Sequence, residues 1–140
     1  MELQDKKQAK SPKRNKETGT KLQRYIKSFL HAVEGISYAV KYEHNMIIII
    51  IMAILAMTLG FILNINNYEW LFVILIIGLI AACEMINTAV EAVIDLISPD
   101  INPLAKIAKD SASSATLLLC ITALTGGLLI YIPKIIEMFF

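Results

Sequence analysis

Apolar and polar positions alternate in long blocks along this chain. In residues 21–43, apolar side chains recur at steps of three and four, while Arg24, Lys27 and Glu34 fall on the opposite side. This spacing predicts an amphipathic helix that lies in the plane of a membrane surface. Residues 1–20 are polar and basic and contain no apolar run, so we expect a disordered basic tail.

Three long apolar segments follow, and each is long enough to cross the ~30 Å hydrocarbon layer of a bilayer. We predict membrane spans at residues 46–63, 70–96 and 111–133. Three asparagines between residues 64 and 67 indicate a turn after the first span, and prolines at 99 and 103 indicate a break after the second. The pattern therefore predicts an all-α integral membrane protein, in which residues 21–140 form one domain.

Composition supports the same class of protein and adds an orientation. Hydrophobic residues make up 56% of the chain and its mean hydropathy is +0.62, which is too apolar for a soluble domain. The net charge is only +1, but the first 41 residues contain ten basic and four acidic side chains. We therefore expect a cytoplasmic N-terminus in the plasma membrane and no nucleic-acid partner. Cys83 and Cys120 have no ligand-like spacing and predict neither a disulfide nor a metal site.

Four polar residues interrupt the end of the second span. At about 100° per helical residue, Glu84, Asn87, Glu91 and Asp95 share one stripe of the helix. Ionisable groups attached to a membrane span are costly and usually mark a functional site. For Asp95 alone, a position among lipid headgroups or water is an equally good explanation, but four polar residues in register favour a site.

The predicted topology brings further polar groups to the same membrane face, namely Glu43 before the first span and Lys109 and Asp110 before the third. Carboxylate ligands with open water positions suit Mg²⁺ that carries nucleotide phosphates, and a lysine would neutralise transferring phosphoryl charge. Glu84, placed deeper, would take the proton from a lipid hydroxyl. These groups suggest phosphoryl transfer to a membrane lipid, although no soluble-kinase motif is present. An ion-conducting helical bundle and a purely structural subunit remain alternatives.

The run EMINTAVEAVID, from Glu84 to Asp95, resembles the signature of the prokaryotic diacylglycerol kinase family. The segment Ala108-Lys109-Asp110, followed by small residues, is similar to the second block of that family. The resemblance covers about residues 24–133. It implies a homotrimer of three-span subunits that uses Mg²⁺ and ATP to phosphorylate a lipid alcohol at the cytoplasmic interface.

The resemblance also implies roles for individual residues. Glu84 would be the general base, Glu43 and Glu91 would hold the metal that bridges the ATP phosphates, and Asn87 would orient this cluster. The resemblance assigns nucleotide contacts to Lys109, Asp110, Arg24, His31, Asp100, Ile101 and Asn102. It assigns a lipid contact to Ser113. An Arg or His on a surface helix is otherwise most often a solvated residue.

The expected lipid follows from the subfamily. Members from Gram-positive bacteria resemble undecaprenol kinases, whereas Gram-negative members act on diacylglycerol. The segments Glu34-Gly35-Ile36 and Glu43-His44-Asn45-Met46 look more like the first type. We therefore expect undecaprenol as the substrate and diacylglycerol as the alternative. The turn from His44 to Ile48 departs from the family pattern, because basic residues are expected after the metal-binding Glu.

Overall fold

The computed structural model describes residues 20–98 and 102–139, and the secondary structure of these ranges is α-helical. The helices are α1 (Lys21–Tyr42), α2 (His44–Ile62), α3 (Asn67–Ile97) and α4 (Pro103–Phe139). The chain divides into two units, Met1–Glu34 and Gly35–Phe140. Residues 1–19 of the predicted tail lie outside the described ranges.

The first unit contains the opening turns of α1. The backbone N–H of Thr20 donates to Gln23 Oε1 at 3.0 Å, and the N–H of Gln23 lies 3.4 Å from Thr20 Oγ1. This reciprocal pair is a capping box, which satisfies backbone donors that the first turn leaves free. Apolar side chains such as Leu22 and Phe29 are exposed here. The position of this helix at a membrane surface stays a prediction.

The second unit contains three helices that are long and apolar enough to cross a membrane, α2, α3 and α4. They confirm the predicted all-helical fold with three spans. The helix α4 is longer than the predicted third span, because it begins at Pro103 and continues through Pro133 to Phe139. Proline at the first helical position costs no hydrogen bond, and an internal proline is tolerated in membrane helices, where neighbouring groups satisfy the freed backbone carbonyl.

The turn between α2 and α3 is built by asparagines. Asn64 has a φ of 48°, a left-handed conformation that asparagine adopts more readily than most residues. Asn66 caps α3, since its Oδ1 accepts from the backbone N–H of Tyr68 at 2.9 Å and of Glu69 at 3.1 Å. Glu69 Oε2 in turn accepts from the backbone N–H of Asn66 at 2.6 Å. These bonds fix the point at which the chain reverses and make α2 and α3 antiparallel neighbours.

The helix α3 is central to the second unit, because it packs against both α2 and α4 and carries half of the buried residues of the described ranges. Close packing relies on small residues and on one polar contact. Gly60 leaves room for the indole of Trp70, and Gly126 leaves room for the ring of Phe72. The hydroxyl of Tyr131 donates to the backbone carbonyl of Ala56 at 2.8 Å, which joins α4 to α2. The two glycines therefore set how closely the helices approach at the end remote from the polar stripe.

Candidate functional site

The buried face of α3 changes from apolar to polar at Glu84. Val73, Ile76 and Ile80 are buried at steps of three and four, and Glu84 and Asn87 continue the same stripe. Glu84 is 2% exposed and Asn87 is 5% exposed, and they are the buried polar residues of the described ranges. A buried carboxylate is costly unless hydrogen bonds compensate it, so its partners determine what it does.

Glu84 is held by a residue from the start of α2. The side-chain amide of Asn45 donates from Nδ2 to Glu84 Oε1 at 2.8 Å. No role for Asn45 was predicted from the sequence, because the two residues are 39 positions apart and only the tertiary fold brings them together. The one available signal was an isolated amide at the beginning of an apolar run, within the turn that departs from the family pattern.

Asn87 and Glu91 form the second polar contact of the site. Asn87 Nδ2 donates to Glu91 Oε1 at 3.1 Å, while Asn87 Oδ1 is buried without a hydrogen-bond partner in the described residues. Glu91 is half-buried and lies about one further turn along α3. The hydrogen bond leaves Asn87 Oδ1 as a buried acceptor, and the orienting role of Asn87 stays a prediction.

Glu43 is available for another partner. It is the N-cap residue of α2, but its side chain makes no capping hydrogen bond, so the carboxylate is not used to stabilise the helix. Glu43 is two residues from Asn45 and therefore near the Asn45–Glu84 contact along the chain. It is half-exposed, which suits a group that meets a solvated ligand.

The donor set fits Mg²⁺, because the oxygens of Glu43, Glu91 and Asn87 are hard ligands. Within residues 20–98 and 102–139, no group of three or more His, Cys, Asp or Glu side chains is arranged to hold a metal. Mg²⁺ commonly keeps water and substrate phosphates as ligands and needs only one or two carboxylates.

Ion pairs connect the ends of α3 and α4. Lys109 Nζ donates to Asp95 across the two helices, and Lys106 Nζ donates to Asp110 one turn further along α4. The Lys106–Asp110 pair is exposed, whereas in the other pair Asp95 is 66% and Lys109 is 35% exposed, so both pairs remain in contact with solvent and contribute little to stability. Lys109 and Asp110, which the sequence predicts as nucleotide contacts, thus have protein partners that a charged ligand could replace.

The remaining predicted residues are on the surface. Arg24 and His31 belong to the first unit and are exposed, and His31 Nδ1 lies 3.2 Å from Glu34 Oε2. Asn102 Oδ1 accepts from the backbone N–H of Leu104 at 2.9 Å, so it serves the first turn of α4. Ser113 is exposed. Asp100 and Ile101 lie outside the described residues.

An apolar groove runs between α2 and α4 over the face of α3. Its volume is about 620 Å³. One end is lined by Ile48, Ile49 and Ile80, which lie one helical turn from Asn45 and Glu84. The other end is lined by Leu59, Phe72 and Tyr131. The groove has the length of most of a span and contains almost no polar surface.

Comparisons with known proteins identify the kind of enzyme. The model of the family described as "Prokaryotic diacylglycerol kinase" matches residues 30–131. The chain is 36% identical to an undecaprenol kinase of Bacillus subtilis over 86% of this chain and 98% of that protein. It is 32% identical to a diacylglycerol kinase of Synechocystis over 79% of this chain and 64% of that protein. It is 34% identical to a diacylglycerol kinase of Helicobacter pylori over 68% of this chain and 74% of that protein.

Three membrane helices and these similarities together define a membrane lipid kinase, an enzyme that transfers a phosphoryl group from ATP. The predicted membrane kinase is thereby confirmed at the level of its class. The chain belongs to the prokaryotic diacylglycerol kinase family, and it resembles the undecaprenol kinase type.

Proposed function

We propose that this kinase transfers the γ-phosphate of ATP to undecaprenol at the cytoplasmic face of the plasma membrane, with Glu84 as the general base. The observation that carries the base assignment is the buried Glu84 carboxylate, of which one oxygen is held by Asn45. The other oxygen, Oε2, makes no hydrogen bond within the described residues. An oriented carboxylate with one free oxygen is suited to accept a proton from an alcohol.

In the proposed reaction, Glu84 accepts the proton of the lipid hydroxyl, and the hydroxyl oxygen forms a bond to the γ-phosphorus of ATP. The bond between that phosphorus and the bridging oxygen of the β-phosphate breaks, so ADP leaves and the lipid phosphate remains. Glu43 and Glu91 would hold Mg²⁺, which would supply positive charge that neutralises the ATP phosphates. Asn87 supports this arrangement because it holds Glu91 and offers its unpaired Oδ1.

The residues further out are proposed to position the nucleotide. Lys109 would exchange Asp95 for a phosphate oxygen, which is possible because their ion pair is partly exposed to solvent. The other proposed nucleotide contacts are Asp110, Arg24, His31, Asp100, Ile101 and Asn102, and Ser113 is the proposed lipid contact.

The apolar groove supports a long-chain lipid as the substrate. Its near end lies one helical turn from Glu84, so an apolar chain whose hydroxyl reaches Glu84 can continue into the groove. Because the lipid chain already lies in the apolar bilayer, its entry into the groove replaces one apolar environment by another, and van der Waals packing rather than transfer from water would favour binding. This argument applies equally to a polyprenyl chain and to an acyl chain. The choice of undecaprenol rests on the similarity to the Bacillus subtilis undecaprenol kinase.

Membrane orientation and assembly are parts of the same proposal. The basic excess of the first 41 residues favours a cytoplasmic N-terminus, which places Glu43, Glu91 and Lys109 on the side that holds ATP. No residue of α4 is buried within the single described chain, although its side chains are largely apolar. A homotrimer, which the family resemblance implies, would cover part of that surface.

A direct assay tests the proposal. The purified protein in mixed micelles is offered undecaprenol and diacylglycerol in parallel, and phosphate transfer from labelled ATP is measured. We expect undecaprenol to be the better substrate. Preferential labelling of diacylglycerol would replace undecaprenol by the second candidate, which the Synechocystis and Helicobacter pylori relatives favour. If the folded protein labels neither lipid, both proposed substrates are wrong.

The base assignment is tested by Glu84→Gln. A glutamine oxygen can still accept the hydrogen bond from Asn45 but does not take a proton, so the local contact is preserved and the base is removed. We expect turnover to fall by about 10²–10⁴-fold, while Mg²⁺-ATP still raises the thermal midpoint of the protein. Glu69→Gln is the matched control, because glutamine also satisfies a capping box. Turnover by Glu84→Gln at the level of this control would refute the assignment.

A further inference from the structure

Glu84 depends on a single side chain for its hydrogen bonding. Within residues 20–98 and 102–139, Asn45 is the residue that donates to this carboxylate, at 2.8 Å, and Glu84 is otherwise enclosed. We propose that Asn45 is a positioning residue that fixes the orientation of the Glu84 carboxylate for catalysis. This inference rests on the proposed role of Glu84 as the general base.

The local structure gives Asn45 no other task. It is the second residue of α2, and Glu43 occupies the N-cap position, so Asn45 is not the cap of its own helix. Asparagine is a weak helix former, so an asparagine inside the first turn is not explained by helix propensity. Its side-chain hydrogen bond in the structure is the one to Glu84.

The start of α2 is also held firmly enough to position a catalytic group. Met46, the next residue, is 4% exposed and therefore anchors this turn by burial. Asn45 itself is exposed, whereas Glu84 is buried. The glutamate side chain has three torsions, and the hydrogen bond from Asn45 limits the rotamers that remain to it.

The contact has a direct consequence for proton transfer. Asn45 holds Oε1 and thereby sets the plane of the carboxylate and the direction of Oε2. A general base must lie about 2.6–3.2 Å from the proton it removes, with correct alignment. Without the amide, the Glu84 side chain can rotate away from this geometry. A misplacement of about 1 Å costs roughly 100-fold in rate.

A positioning role and a purely structural role of Asn45 predict different kinetic results. If Asn45 positions the base, its loss lowers kcat and leaves the KM for ATP and for the lipid nearly unchanged, because neither substrate is bound by Asn45. If Asn45 only stabilises the fold, kcat per folded molecule is unchanged and the thermal midpoint falls. Activity is therefore normalised to the fraction of protein that binds Mg²⁺-ATP.

The test compares three substitutions with a control on the same helix. Asn45→Leu removes the donor, Asn45→Asp keeps the shape but replaces the donor by an acceptor, and Asn45→Gln keeps the amide on a longer side chain. We expect the first two to lower kcat by about 100-fold with each KM within about threefold. We expect the kcat of Asn45→Gln to be at least tenfold higher than that of Asn45→Leu. Thr58→Val is the control, because it removes a hydroxyl whose hydrogen bond in the described part of the chain goes to the backbone carbonyl of Ile54 in the same helix.

A double substitution with Glu84→Gln separates this inference from the proposed function. Once the base is gone, adding Asn45→Leu should cause no further loss of kcat, since the two residues act through one contact. If Glu84→Gln abolishes turnover but Asn45→Leu and Asn45→Asp keep kcat within threefold, the positioning role is wrong and the base assignment stands. If Glu84→Gln is active, the base assignment itself is wrong. If Asn45→Leu does not fold, Asn45→Asp decides by the same criterion.

Discussion

The packing of Gly126 against Phe72 gives a stability prediction that can be worked out from the structure. A Cβ atom at position 126 would lie 3.2 Å from Cε2 of Phe72 and closer still to Cζ and Cε1 of that ring. Carbon atoms in contact normally lie about 3.5–4.0 Å apart. Gly126→Ala therefore forces the ring, and with it the contact between α3 and α4, to move.

The neighbouring glycine provides a matched comparison. A Cβ at Gly127 would be 3.8 Å from its nearest neighbour, Cδ2 of Tyr131, which is ordinary van der Waals contact. Both substitutions add one methyl group to the same helix and remove the same backbone flexibility. Any difference between them therefore reports the collision with Phe72.

Overpacking of this kind costs about 1–3 kcal/mol. At roughly 4 °C for each kcal/mol, the thermal midpoint of Gly126→Ala should fall by about 4–12 °C. We expect Gly127→Ala to leave the midpoint unchanged or to raise it slightly. The measurement is thermal unfolding of each purified variant in one detergent. Phe72→Leu should relieve part of the loss, since a smaller side chain leaves room for the new methyl group. Equal midpoints for the two alanine variants would refute the close approach of α3 and α4 at this point.

Two further predictions concern the ligands. Glu91→Gln removes a carboxylate from the proposed magnesium site, so it should weaken ATP binding at limiting Mg²⁺ and weaken it less at saturating Mg²⁺. The measurement is a Mg²⁺ titration of the thermal shift that ATP causes, with Glu69→Gln as the control. An unchanged Mg²⁺ dependence would remove Glu91 from the metal site. Ala123→Phe fills the apolar groove and should raise the KM for the lipid several-fold with the KM for ATP unchanged, whereas Thr122→Phe, adjacent on α4 but outside the groove, should not. A lipid KM that responds equally to both would show that the groove does not hold the substrate.

Much of the fold could be predicted from the sequence, because the forces that define membrane helices are local and additive along the chain. Apolar length alone identifies the three spans, and the asparagines and prolines between them identify the breaks. The exact end of α4 could not be predicted in this way. Proline usually ends a helix, but α4 continues through Pro133 to Phe139.

The candidate site could be predicted where its members lie on one helix. The fixed rotation of 100° per residue places Glu84, Asn87 and Glu91 on one stripe, and the structure contains the Asn87–Glu91 hydrogen bond that this register allows. The pairing of Lys109 with Asp95 joins two helices and depends on how the ends of α3 and α4 meet. Sequence periodicity contains no information about such a pairing.

The sequence by itself determined the membrane class, the number of spans, the polar stripe and the family. Each of these follows from residue type and spacing, which do not change when helices are packed together. The tertiary structure alone decided that Asn45 holds Glu84 and that Gly126 faces Phe72. These contacts depend on the relative depth and rotation of separate helices, which packing between helices fixes.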